Sequence, residues 1–169
     1  MARLAIAKGF VTEYAKLGKG IQNAVESAIT KFAEYPHANL LLEKPEYGRD
    51  DRIRTIQVDG CWRGVVLAPE SGDTYYLITV LPDHDANAYA ISHRFTVNQA
   101  LGVLEVRDET ALQQLQLSLQ AVVRPADKRL FADVSDAGLT RLGIDPQILP
   151  MVRLLTSEAD LETLQNGFA

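Results

Sequence analysis

Between residues 52 and 81 the chain alternates three short apolar runs with turn-forming residues, a pattern that fits an antiparallel sheet and little else. Residues 52–58 (RIRTIQV) are rich in β-branched side chains, Asp59-Gly60 is a hairpin turn pair, and residues 62–68 (WRGVVLA) supply the returning strand. The polar stretch 69–73 (PESGD) makes the next turn and residues 74–81 (TYYLITVL) the third strand. Period-two alternation along that strand puts Tyr75, Leu77 and Thr79 on one face, with Tyr76, Ile78 and Val80 on the other, and assigns Tyr76 to the core.

Helical spacing precedes the sheet. Phe10, Tyr14, Leu17, Ile21, Val25, Ala28, Ile29 and Phe32 recur every three or four residues, the stripe of an amphipathic helix. Gly18 and Gly20 divide it into two helices joined near Lys19, and Pro36 stops the second because the residue before a proline is pushed out of the α region. Residues 83–94 (DHDANAYAISHR) read as a further helix capped by Asp83 or Asp85, and residues 103–106 (VLEV), entered through Gly102, as a fourth strand. The expected fold is α+β: a helical hairpin packed on an antiparallel four-stranded sheet within residues 1–106.

Residues 107–169 are expected to form a small helical extension. Leu112, Leu115, Leu119 and Val122 stripe a helix over 109–123, and a polar loop follows at 124–129. Short pieces come next, started by Ser135, by Asp145 with Pro146, and by Ser157 with Asp160 as a capping box. Helices this short need a partner surface, supplied by the first domain or by something outside the chain.

Composition narrows the function classes. With 47% apolar residues in 169, the chain can bury a core, and no apolar run reaches the ~20 residues of a membrane span. The amino-terminal stretch lacks the apolar core of a secretion signal, so a cytoplasmic protein is expected. The single cysteine, Cys61, excludes an internal disulfide and a thiolate zinc cluster. The net charge of −5 argues against a strongly basic nucleic-acid binder, yet Arg3, Lys8, Lys16, Lys19 and Lys31 outnumber Glu13 and Glu26 at the amino end, which leaves nucleic acid open as a partner.

No motif assigns chemistry outright. Residues 16–21 (KLGKGI) lack the earlier glycine and the Ser/Thr of a phosphate-binding loop, so neither ATP nor any other cofactor is expected. His37, His84 and His93 show no metal-ligand spacing, and no metal is expected. The group that stands out is Lys44, Arg49, Arg52, Arg54, Arg63, His84 and Tyr89, because cations on neighbouring strands bind phosphates and stabilise the charge that develops when RNA is cleaved. Pairing with Glu43, Asp50 and Asp51 at a solvated strand end is the alternative for Arg52 and Arg54. Trp62, Tyr75 and Tyr76 are the aromatic candidates for stacking on bases.

These patterns resemble the RelE/ParE toxin superfamily. Residues 16–25 (KLGKGIQNAV) look like its Lys-Leu-Pro-Lys opening, 56–66 (IQVDGCWRGVV) like its Arg-Val-x-x-x-Tyr-Arg hairpin, and 80–89 (VLPDHDANAY) like its strand leading to a His-Asp-x-x-Tyr helix. Residues 54–90, the following HRFTVNQALGVLEV, and the tail 131–164 also resemble the amino-terminal region and linker ahead of the motor in bacterial UvrD/Rep-type superfamily 1 helicases. On the toxin pattern Arg63 keeps its place, but Gln57 stands where a second arginine is usual and Trp62 replaces the usual tyrosine. By analogy with oxyanion-hole deletions, the missing cation would raise a cleavage barrier by ~2.7–4 kcal/mol.

The resemblances imply a RelE-like accessory or regulatory module of a UvrD-like helicase system, without catalysis or ATP binding of its own. It would bind nucleic acid, a helicase motor or another protein through Arg52, Arg54, Trp62, Arg63, Lys16 and Lys19, with His84 beside Arg54 and Arg63 on one sheet face. The alternative is an active messenger-RNA interferase partnered by an antitoxin. There Arg63 would hold phosphate, His84 would act as general acid or base, and Tyr89 or Lys44 would assist. A ParE-like gyrase binder is the third reading.

Overall fold

The structure is a computed structural model that describes residues 2–122 and 128–168. It divides into two compact units, Met1–Ile91 and Ser92–Ala169. The polar loop expected at 124–129 lies outside the described residues except for Lys128 and Arg129.

The first unit opens with strand β1 (Arg3–Ile6), then helices α1 (Phe10–Lys16) and α2 (Lys19–Glu34). Leu17 and Gly18 are both extended and make the break between the helices, so Gly18 becomes the N-cap of α2 while Gly20 sits inside its first turn. Helix α2 ends at Tyr35, held extended ahead of Pro36. A short 3-10 turn leads to β2 (Leu42–Glu43), followed by β3 (Ile53–Gln57), β4 (Trp62–Leu67), β5 (Thr74–Pro82) and helix α3 (Asp83–Ser92). The sheet runs β1-β5-β4-β3-β2 and is mixed: β1 lies parallel to β5 and the other neighbours are antiparallel.

Two strands of this sheet escaped the sequence reading. The four residues of β1 carry one β-branched side chain and no alternation, and β2 is two residues long. The expected fourth strand belongs elsewhere. Residues Val103–Asp108 (β7) pair with His93–Asn98 (β6) in a separate two-stranded sheet, because HRFTVN leaves helical geometry at His93 and alternates as a strand. The hairpin falls in the second compact unit, which begins at Ser92.

The helices cover one sheet face. Phe10, Val25, Phe32 and Ala38 form a core with Ile56, Val66, Leu77 and Val80, and Tyr14, Leu17, Ile21 and Ile29 of the helical stripe pack against it. Leu77 and Val80 share this face although they are three residues apart. The β4–β5 register steps from Val65↔Thr79 to Val66↔Leu77, so Ile78 is an extra, unpaired residue that reverses the alternation. This bulge corrects the placement of Tyr76, which is exposed. Tyr75 turns inward instead and meets Phe32 edge-on, ring centroids 5.5 Å apart. Ile53, Thr55, Val65 and Leu67, on the opposite face, are buried as well.

Gly64 permits the closeness of the covered layer. A Cβ there would stand 2.8 Å from Ile56 Cγ2 and 3.0 Å from Leu77 Cδ1, so the side chains of β3 and β5 meet over a bare backbone. Gly64→Ala is expected to cost about 1–3 kcal/mol by overpacking, read as a lower urea midpoint with an unchanged slope.

The second unit holds the β6–β7 hairpin and helices α4 (Glu109–Val122), α5 (Asp136–Arg141), α6 (Leu149–Val152) and α7 (Glu158–Gln165). The short helices bury Leu139, Met151, Val152, Leu155 and Leu164 with Leu112 and Leu119 of α4, so their partner surface comes from the extension itself, a source other than the two expected. Ser135 accepts from the Gly138 N–H at 3.1 Å, Asp145 from Gln147 at 2.9 Å, and Ser157 with Asp160 forms the reciprocal capping box.

Under this core lies a buried charge network. Arg107, 5% exposed, donates to Asp145 at 2.7 Å, to Glu105 at 3.0 Å and to the side chain of Gln147 at 3.2 Å, while Asp145 is fully buried. Burial alone would push the Asp145 carboxyl up, but the Gln147 N–H, Arg107 and the Gln99 N–H together hold it below its usual value of 3.8. Its stabilisation is therefore complete above that value and fades as pH falls through the lower folded value. Asp145→Ala should cost about 3 kcal/mol, because the buried guanidinium keeps Glu105 but loses its 2.7 Å carboxylate partner. Urea melts between pH 2 and pH 7 check this, and the variant should lose the acid-side slope that Asp145 contributes.

Candidate functional site

The β3–β4 turn decides which side chains can act together. Asp59 closes it, accepting from the backbone N–H groups of Cys61 at 2.8 Å and Trp62 at 3.0 Å. Gly60 keeps an ordinary negative φ, so the aspartate carboxylate sets this turn and the glycine's conformational freedom does not. The resulting register pairs Gln57 with Arg63 and Arg54 with Val66. Since paired residues share a face, Arg54 points to the helix-covered side and Arg63 to the opposite side. The single face expected to carry both arginines therefore does not form.

Arg63 spans the open end of its face. Its Nη1 donates to Glu43 of β2 at 2.8 Å and its Nε to Asp83, the first residue of α3, at 2.9 Å. The Asp83 N–H in turn donates to Cys61 O at 2.8 Å, which fixes the start of α3 beside the turn. Lys44 and His84 follow the two carboxylate residues in sequence and are both exposed. Tyr89, partly buried, lies five residues beyond His84, a rise of about 7.5 Å along the helix. The structure thus gathers Arg63 with the positions flanking Lys44 and His84, and sets Tyr89 farther along α3.

The remaining cations are dispersed, and Arg49, Arg52, Arg54, Lys16 and Lys44 are engaged. Arg52 holds Asp50 through Nε at 3.0 Å and Nη2 at 2.8 Å and reaches Glu70 at 3.2 Å; its hydrogen bonds to Asp50 raise an already high pKa despite partial burial. Arg54 donates to the backbone oxygens of Asp51 at 2.6 Å and Ile53 at 2.7 Å. Arg49 donates through its backbone N–H to Ala90 O at 2.8 Å and through Nε to Ile91 O at 3.2 Å. Lys44 pairs with Asp51 at 3.1 Å and Lys16 with Glu13 at 2.8 Å, while Lys19 is exposed at the first residue of α2. Trp62 packs against the helix-covered core.

Sequence reasoning named Glu43 only as a partner of Arg52 and Arg54 and Asp83 only as a helix cap; the structure makes both of them partners of Arg63. The signal was present: counting back from the Asp59 turn pairs Gln57 with Arg63, and an acid that opens a helix at the end of β5 lies one strand from that arginine. One guanidinium between two carboxylates leaves the cluster with net negative charge. A phosphate approaching Arg63 meets both acids, whereas a transition state with developing negative charge needs unopposed donors. Among the described residues no group of three or more His, Cys, Asp or Glu side chains is placed to hold a metal ion, and no helix is long and apolar enough to cross a membrane.

No protein-family model matches this chain, and no curated protein does. Among solved structures, one chain of the RelB–RelE antitoxin–toxin complex from Methanococcus jannaschii is similar, at 20% identity and a TM-score of 0.39, over 50% of this chain and 96% of that one.

The ion pairs of Arg63 are solvent-accessible, with the arginine side chain 24% and its partners 64% and 54% exposed. Arg63→Ala should therefore lower stability by about 1 kcal/mol or less. A double-mutant cycle of Arg63→Ala with Asp83→Ala, read by urea denaturation, checks it.

Proposed function

We propose that this chain is a non-catalytic recognition module that binds a protein partner and acts as an accessory or regulatory part of a larger nucleic-acid-processing system. The observation that carries the reading is the neutralisation of Arg63 by Glu43 and Asp83. The one cation that keeps its place on the toxin pattern is committed to carboxylates, and Arg54 serves the opposite face. A surface of alternating acids and bases suits a protein partner, because complementary charges set register and suppress wrong pairings, whereas a phosphate backbone needs uncompensated cations. The sequence resemblance to the region preceding UvrD/Rep-type motors makes such a motor the partner class.

Expression of the intact chain in a bacterial host, with growth and message integrity followed over time, tests the absence of catalysis. The expected outcome is unimpaired growth and intact messages, identical for the native chain and Arg63→Ala; arrest that Arg63→Ala relieves would establish the interferase instead. Titration with single- and double-stranded DNA at two salt concentrations should give no specific retardation, whereas a tight, salt-dependent shift would replace the protein partner with nucleic acid. Co-expression with the UvrD-type motor of the same genome should give a co-eluting complex weakened by Asp83→Lys, and separate elution would remove the helicase link.

A further inference from the structure

The second unit holds a cavity of about 120 Å³ between α4 and the segment that runs from the end of α6 into α7. Part of its wall is aliphatic: Leu115 and Leu119 of α4, with Leu154, of which Leu119 is buried and the other two are half-buried. The rest is polar. Ser118, exposed on α4, lies where the cavity meets solvent, and half-buried Arg129 and Asp160 bring a guanidinium and a carboxylate to the same space.

The two charges are anchored separately. Arg129 donates through Nη1 to Leu154 O at 3.1 Å, and its Nε and Nη2 have no acceptor among the described residues. Asp160 accepts through one oxygen, Oδ2, from the Thr156 N–H and hydroxyl, both at 3.0 Å, and from the Ser157 N–H at 3.1 Å. Its Oδ1 has no donor among the described residues. The Thr156 N–H above all, with the other donors, holds the Asp160 carboxyl below its usual value of 3.8, so it is ionised at neutral pH. Among the described residues no ion pair joins Arg129 to Asp160, although both line one cavity. Each charge keeps hydrogen-bonding capacity for a further partner, and both are already fixed in position, which lowers the cost of ordering on binding.

We infer that this cavity binds a free α-amino acid with a short aliphatic side chain, its carboxylate on Arg129, its ammonium on Asp160 and its side chain against Leu115, Leu119 and Leu154. Charge selects the class. A zwitterion satisfies both groups at once, whereas a simple carboxylate meets Asp160 uncompensated and a simple amine meets Arg129 in the same way. Volume selects the size. An apolar cavity of roughly 150 Å³ takes benzene, so one of about 120 Å³ admits a branched side chain of three or four carbons. Half-exposed ion pairs and a few methyl contacts give weak binding, with a dissociation constant on the order of 1 mM. This site shares no residue with the Arg63 cluster and does not depend on the protein-partner reading.

Titration of the full, methyl-labelled chain with free leucine to about 20 mM, followed by NMR, tests this. The expected result is saturable shifts of the Leu115, Leu119 and Leu154 methyl signals. Isocaproate, which is leucine without its ammonium, and isopentylamine, which is leucine without its carboxylate, should each bind roughly tenfold more weakly or worse. Arg129→Gln should weaken leucine binding by about tenfold or more. Ser118→Trp, at an exposed position, should block the cavity while leaving the urea midpoint unchanged, so a folding defect in the arginine variant does not decide the matter. Absence of saturable shifts, equal binding by either half of the ligand, or undiminished leucine binding in Ser118→Trp overturns the inference.

Discussion

The register of β4 against its two neighbours is the constraint on which the first unit depends. One edge is fixed by the Asp59 carboxylate, which gathers two backbone N–H groups and pairs Gln57 with Arg63. The other is fixed by the bulge at Ile78, which brings Leu77 and Val80 to one face. Together they decide that Ile56, Val66, Leu77 and Val80 meet the helices and that Arg63 meets Glu43 and Asp83. A slip of one residue at either edge would carry charge into the core and apolar side chains into water.

The second unit rests on a different device. Its helices are short, and Arg107 ties the β6–β7 hairpin to the turn before α6 through Asp145 and Gln147. The carboxylates and amide around that guanidinium satisfy it at close range, and no buried side-chain polar atom among the described residues lacks a partner. Such a network fixes position more than it adds net stability, because desolvation offsets much of the attraction. It fixes the orientation of the hairpin against that turn.

Local chemistry was legible in the sequence wherever one residue could dictate it. The break at Gly18, the stop before Pro36, the caps at Ser135, Asp145 and Ser157 and the three central strands all follow from a side chain and its immediate neighbours. Parity was less legible. Tyr76 faces solvent because Ile78 adds a residue that no local pattern announces, and β1 pairs with a strand some seventy residues away that its own four residues cannot specify. The candidate site shared this limit: Arg63 stood out by type, but Glu43 and Asp83 became its partners through pairing across three strands.

The surplus residue at Ile78 also gives β5 a reserve of length. Were it removed, Tyr75, Leu77, Val80 and Pro82 would fall into plain alternation and still face the helices, so the same inner surface can be written with eight residues in place of nine. What the ninth contributes is local bend and extra twist. It therefore governs the curvature of the sheet, and shortening this strand would flatten the platform without changing what it buries.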